Sequence, residues 1–204
     1  MTSDWNNGSE RYRFAVRDDL ADIAEMLVDP DVGRWLWFTP GTRETFGRYF
    51  APLVDTQTAQ LERGEIPHTA VLVVDDQDGR FLGQGAAVAV DASPGGFEIG
   101  FQLRREAWGR GVATRLAQFL CAYAVHQCDA YRLEGACLEG NTGSRAILTH
   151  LGLTLEGTRP GYRLRDKVRH TELLYGAEVR TLDTASFRRV AEAFGLVTPQ
   201  STGA

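Results

Sequence analysis

Lysine is almost missing from these 204 residues: Lys167 is the only one, and every other cationic side chain at the basic end is an arginine. Acidic residues outnumber basic ones and leave a formal net charge of −5. That balance argues against a protein that coats nucleic-acid phosphates, which needs a basic face. Cysteine is scarce as well. Cys121, Cys128 and Cys137 are odd in number and form no paired CxxC. They give no disulfide framework and read as buried small apolar residues. No stretch approaches the roughly 20 apolar residues of a membrane span. Residues Met1–Glu10 are polar, without the apolar region of a secretion signal. The expectations are a cytoplasmic protein with no metal, no nucleic-acid partner and no membrane partner.

What is present is an ordinary globular mixture, 43% hydrophobic and 24% charged, at a length suited to one principal domain. Residues 1–10 read as a disordered leader. Arg11–Val16 alternates like a half-buried strand. Asp18 and Asp19 offer an N-cap for a helix reaching about Leu27. Pro30 starts a short helix or turn with Trp35, Trp37 and Phe38, which ends at Pro40-Gly41. A helical stretch from Thr42 to about Gly64 contains Pro52, which predicts a split or kink. Ala70–Val74, Phe81–Val90 and Phe97–Leu103 read as a three-strand meander. Val112 to Gln127 carries a helical apolar stripe, Arg132–Cys137 is a strand, and Thr142–Leu151 is a helix that Gly152 stops. Three short strands follow, at Leu153–Glu156, Tyr162–Arg165 and Val168–Gly176, before a last helix at Asp183–Phe194 and a polar tail. This order implies an α+β domain with a largely antiparallel sheet. It divides the chain into the leader, a domain at 11–180, and a C-terminal helix and tail at 181–204.

The segment that carries chemistry lies between the third meander strand and the helix at Val112. Trp108-Gly109-Arg110-Gly111-Val112-Ala113 combines two glycines with a helix start. Inward-turned amides and the positive end of the helix dipole make an anion site suited to a pyrophosphate. A dinucleotide-binding loop would add a third glycine, but position 114 is Thr, and no P-loop Lys-Ser/Thr pair follows.

At this point a run of motifs resembles the GCN5-related N-acetyltransferase (GNAT) superfamily, and within it the branch acting on N-termini of ribosomal proteins. The matching residues are Glu98-Ile99-Gly100-Phe101-Gln102-Leu103, Glu106 to Thr114, Arg132-Leu133-Glu134-Gly135, Glu139-Gly140-Asn141-Thr142-Gly143-Ser144, Leu151-Gly152-Leu153 and Leu174-Tyr175-Gly176. The resemblance is strong over 97–176 and rests on element order over 11–96. It implies the GNAT fold, a mixed and largely antiparallel sheet with a splayed central strand pair and flanking helices. Acetyl-CoA would be the cosubstrate. Its pantetheine would lie along Phe101, Gln102 and Leu103, and its pyrophosphate in the loop of Trp108, Gly109, Arg110, Gly111, Val112 and Ala113. Asn141 and Ser144 would stand at the thiol end. Two positions depart from the pattern: Glu106 stands where Gln or Arg is frequent, and Thr171 where the closing strand often carries Asp.

The implied reaction is direct attack of a neutral amine on the thioester in a ternary complex. It needs a proton acceptor for the amine, a polarised carbonyl and a proton for the thiolate. Glu98 is the first choice of base and Glu134 the second; either also reads as an outward-facing strand residue. Ser144 is a proton donor to the sulfur or a plain first-turn helix residue. Asn141 is a ligand, a helix N-cap or both. Tyr175 is the rival acid or a core residue. Trp35, Trp37 and Phe38 form an acceptor wall or ordinary core. The basic run Arg159, Arg163, Arg165, Lys167 and Arg169 is a solvated face or selects an acidic acceptor. The acceptor amine is a protein N-terminus or a small molecule, and the protein a monomer or homodimer. The competing reading is an acyl-CoA-binding sensor or interaction domain without turnover.

Overall fold

A computed structural model describes residues 4–36, 41–165 and 167–196. Trp37, Phe38 and the polar tail from residue 197 lie outside the described residues.

The chain enters through two strands, β1 (Asp4–Asn6) and β2 (Glu10–Phe14), and then folds into α1 (Leu20–Val28), α2 (Pro30–Gly33) and α3 (Arg43–Glu62). The meander is β3 (Thr69–Asp76), β4 (Phe81–Ala89) and β5 (Gly96–Leu103). Next come α4 (Val112–Gln127), β6 (Arg132–Leu138), α5 (Thr142–His150), the hairpin β7 (Thr154–Arg165) and β8 (Val168–Glu178), and α6 (Thr184–Ala193). The eight strands form one sheet in the order β1-β2-β3-β4-β5-β6-β8-β7. Every pairing is antiparallel except β5 with β6.

β3 shows why the sequence reads as it does. Its unbroken apolar run has no polar face because both faces are covered. Ala70, Leu72 and Val74 join the main core under α4, whereas Val71 and Val73 join a second core under α1 and α3. Gln57 of α3, fully buried, ties these layers together. Its amide donates to the Ala15 carbonyl (3.0 Å) and its oxygen accepts from the Val71 amide (2.7 Å). α4 is apolar over most of its girth because the sheet lies on one side and α6 on the other, with Phe187 and Ala191 in the main core.

Three expectations change. The leader is not disordered from residue 4 onward: Asp4–Asn6 pairs with Arg11–Arg13, and Trp5 is buried against Phe14 and Phe119 with ring centroids 5.2 Å apart in each case. Pro52 does not split α3. It stands on the exposed side, where the carbonyl that loses its amide partner faces water, and the Thr56 hydroxyl donates to the Pro52 carbonyl at 2.8 Å. The two short strands at Leu153–Glu156 and Tyr162–Arg165 are one strand, β7, with register shifts at Leu155/Gly157 and Arg159/Arg163. An extra residue absorbed at such a shift blurs the alternation that marks a strand in sequence.

Candidate active site

β5 and β6 are paired over only three residues: Gly96 with Arg132, Phe97 with Leu133, and Glu98 with Glu134. Beyond the last pair the strands part. β5 stays on β4 as far as Leu103–Gly83, while β6 follows β8 to Leu138–Glu172. The wedge between them opens into a cleft of about 520 Å³. Its walls are Ile99 to Leu103 of β5, Ala136 and Cys137 of β6, and Asn141 to Ser144 at the start of α5. Trp35 and Leu36 line it as well, as do Ala107, Trp108, Gly109, Gly111 and Val112 of the loop and helix start that follow β5.

The loop's shape follows from its glycines. Gly109 and Gly111 have φ of +70° and +76°, a region that a side chain at either position would strain. Gly111 is also the N-cap of α4, and no side chain caps that end. The first amides of the helix therefore remain available at the cleft, at the positive end of the helix dipole. Trp108 fastens the loop to the strand, its indole N–H donating to the Leu103 carbonyl at 3.0 Å.

Of the residues expected to hold the cofactor, Phe101, Gln102, Leu103, Trp108, Gly109, Gly111, Val112, Ala113, Asn141 and Ser144 line this one cleft. Arg110 does not; its guanidinium reaches back to the Glu106 carbonyl. Asn141 caps α5, its Oδ1 accepting from the Ser144 amide at 3.1 Å. That leaves the Asn141 amide nitrogen and the Ser144 hydroxyl as the groups available at this end of the cleft. Tyr175 is placed elsewhere. It is 7% exposed, packs in the main core and is not among the residues that line the cleft.

Glu98 sits at the fork, one residue below the cleft wall, and burial pushes its carboxyl above the usual range. The carboxylates of Glu134 and Glu172 push it further in the same direction, and Arg163 opposes them. Tyr49 of α3 lies near enough that Glu98 raises its phenol as well, after burial. A carboxyl whose proton affinity is raised in this way beside a cleft suits proton acceptance.

Glu172 is a site residue that sequence reading missed. It is fully buried on β8 and binds Arg159 (3.2 Å) and Arg163 (2.5 Å). Arg165 is itself buried and donates to the Gly33 carbonyl at 3.2 Å. The run is therefore divided: Arg163 and Arg165 are engaged within the protein, whereas Arg159, Lys167 and Arg169 are exposed. Cys137 is the other omission. It stands in the cleft wall, and burial pushes its thiol up to about 11, so it is neutral at physiological pH. Among the described residues no group of three or more His, Cys, Asp or Glu could hold a metal, and no helix is long and apolar enough to cross a membrane.

Comparison with known proteins agrees with this geometry. The family model described as the acetyltransferase (GNAT) domain matches residues 11–154. A putative ribosomal N-acetyltransferase, YdaF of Bacillus subtilis, is 27% identical over 162 residues, covering 77% of this chain and 84% of the relative. The ribosomal-protein-S5-alanine acetyltransferase of Vibrio fischeri superposes with a TM-score of 0.71 at 16% identity, over 87% of this chain and 97% of that one. RimJ of Mycobacterium smegmatis, solved with CoA-disulfide, gives 0.70 at 22% identity, over 92% and 90%. With its parted strands and glycine loop, and with a family model that spans most of its length, the chain belongs to the GNAT family of N-acetyltransferases.

Proposed function

We propose that the cleft binds acetyl-CoA between β5 and β6 and delivers its acetyl group to a primary amine, with a protein N-terminus as the acceptor class. The observation that carries this reading is the parting of β5 and β6 directly above a positive-φ glycine loop. The residues present fit the cosubstrate. The unpaired edge of β5 offers main-chain groups to a pantetheine amide, as to an added strand. The loop amides and the α4 dipole suit a pyrophosphate. The acetyl thioester supplies an activated carbonyl; the chain supplies position and proton management.

Glu98 accepts the proton of the amine at the fork, directly or through a water. Its burial among carboxylates makes it a stronger base than an exposed glutamate. A β5 main-chain amide polarises the carbonyl. Ser144 donates to the departing sulfur from the first turn of α5, with Asn141 holding that turn in place. Trp35 and Tyr49 border the side from which the amine arrives. The protein N-terminus as acceptor rests on the ribosomal N-acetyltransferase relatives.

The test is calorimetry with acetyl-CoA on the native protein and on a Gly109→Asp, Gly111→Asp double variant. Native binding that the variant loses supports the site, and thiol release with peptides and small amines then identifies the acceptor. A folded native protein that binds no acetyl-CoA would overturn the reading.

A further inference from the structure

The loop that faces the cleft is gripped from behind. Arg115, one turn into α4, donates its Nε to Glu10 Oε2 at 3.0 Å and its Nη2 to Glu10 Oε1. The same Nη2 reaches the Arg110 carbonyl at 3.1 Å. Nη1 lies 2.8 Å from where a Cβ on Gly111 would stand, so the guanidinium packs flush against the loop. Glu10 is 4% exposed and is held in turn by Asn7, which donates to Oε2 at 2.9 Å and accepts from the Glu10 amide at 2.7 Å. Burial alone would raise the Glu10 carboxyl, but the bonds from Arg115 and Asn7 outweigh it, and the net direction is downward. The pair is therefore ionised and internally neutral at working pH.

We propose that Arg115, anchored by Glu10, is a positioning residue for the cofactor loop: by holding the Arg110 carbonyl it turns the Gly111 amide toward the pyrophosphate. The argument is geometric. Arg110 C=O and Gly111 N–H belong to one planar trans peptide and point in opposite directions. Fixing the oxygen toward Arg115 fixes the hydrogen toward the other side of the loop, and Gly111 is a cleft-lining residue whereas Arg110 is not. Glycines on both sides of Arg110 make this peptide easy to rotate unless something holds it. The anchor comes from the N-terminal hairpin, more than a hundred residues upstream, so that hairpin becomes part of the cofactor site.

The proposal rests on the acetyl-CoA reading above, and its test separates the two. Dissociation constants and steady-state kinetics are measured for the native protein, Arg115→Met, Arg115→Lys and Glu10→Gln, with acetyl-CoA and with S-acetylpantetheine, which lacks the pyrophosphate. The expected result is an affinity for acetyl-CoA weakened about tenfold in Arg115→Met and Glu10→Gln, the size of one charge-assisted hydrogen bond. Arg115→Lys falls between them and the native protein, and kcat at saturation stays within about twofold because the chemistry is remote from the loop. With S-acetylpantetheine all four proteins turn over alike, which a general folding defect would not permit. If Glu10→Gln instead tightens acetyl-CoA binding, Arg115 is a direct phosphate ligand that Glu10 had been neutralising, and the positioning role falls. Unchanged affinity in both variants, or equal losses with both donors, also overturns it. Failure of the native protein to bind acetyl-CoA would sink the underlying reading instead.

Discussion

Glu98 and Glu134 are the last residues to face each other across β5 and β6, and the cleft begins where their pairing ends. A carboxylate pair at a fork has two consequences. Glu134 raises the proton affinity of Glu98, and the opening strands admit a ligand beside it.

Replacing Glu98 with Gln should slow turnover about 10²–10⁴-fold at neutral pH, the usual worth of a general base. Native kcat/KM should rise with pH through the raised Glu98 value, and the variant should lose that limb. Stability moves the other way. The folded protein holds the Glu98 proton to higher pH than the unfolded chain does, so native stability falls as pH climbs from the ordinary carboxylate value through the folded one. The variant should therefore melt at a higher temperature than the native protein at pH 8, an advantage that shrinks as pH falls through the raised folded value and is gone by about pH 4.3. Parallel pH–rate profiles and melting curves decide both parts; a variant with the native profile removes Glu98 as the base.

Ser144→Ala should lower kcat about tenfold while leaving the acetyl-CoA affinity near native, since one hydrogen bond to the leaving group is lost. The α5 cap should survive, because Asn141 bonds to the Ser144 main chain. Restoration of the rate with a thioester of more acidic leaving thiol would identify the missing hydrogen bond to the sulfur as the cause.

Trp35→Ala should raise KM for the acceptor more than for acetyl-CoA. Trp35 lines the cleft and lies against Gly140, its Cζ3 3.5 Å from where a Cβ there would sit. An equal rise in both KM values would place the ring in the cofactor site instead.

Glu172→Ala should destabilise the protein by about 3 kcal/mol, the scale for stripping a buried charge from its partners. Arg159 and Arg163 would lose their shared carboxylate, with Arg163 near Glu98. Both arginines retain some solvent contact, which limits the loss. Chemical denaturation measures it, and a change under about 0.5 kcal/mol would show that the clamp is dispensable.

The order of elements was legible because its signals are local. The α4 stripe, the Asp75 to Gly79 turn, the Asn141 cap and the glycine loop all announce themselves within a few residues. The cleft residues followed from the motifs on β5, the loop and α5. What escaped depends on distant partners. β1 is three residues long and exists because Trp5 finds Phe119 on the far side of the sequence. Glu172 looks like any polar residue on a hairpin, and only the register of β7 on β8 shows that it receives two arginines. Attention to the neighbouring Thr171 looked at the opposite face of the same strand.

Lys167 stands exposed in the turn between β7 and β8, in a left-handed conformation with φ of +65°. Because it is the only lysine, an amine-directed reagent has one side-chain target on the whole molecule. A fluorophore carried on an activated ester, applied at a pH that discriminates against the α-amino group, would report from the tip of that hairpin alone. The same scarcity means that spontaneous acylation by a bulk thioester donor, which marks lysine-rich proteins at many positions, would leave this catalyst almost unmarked by its own cosubstrate.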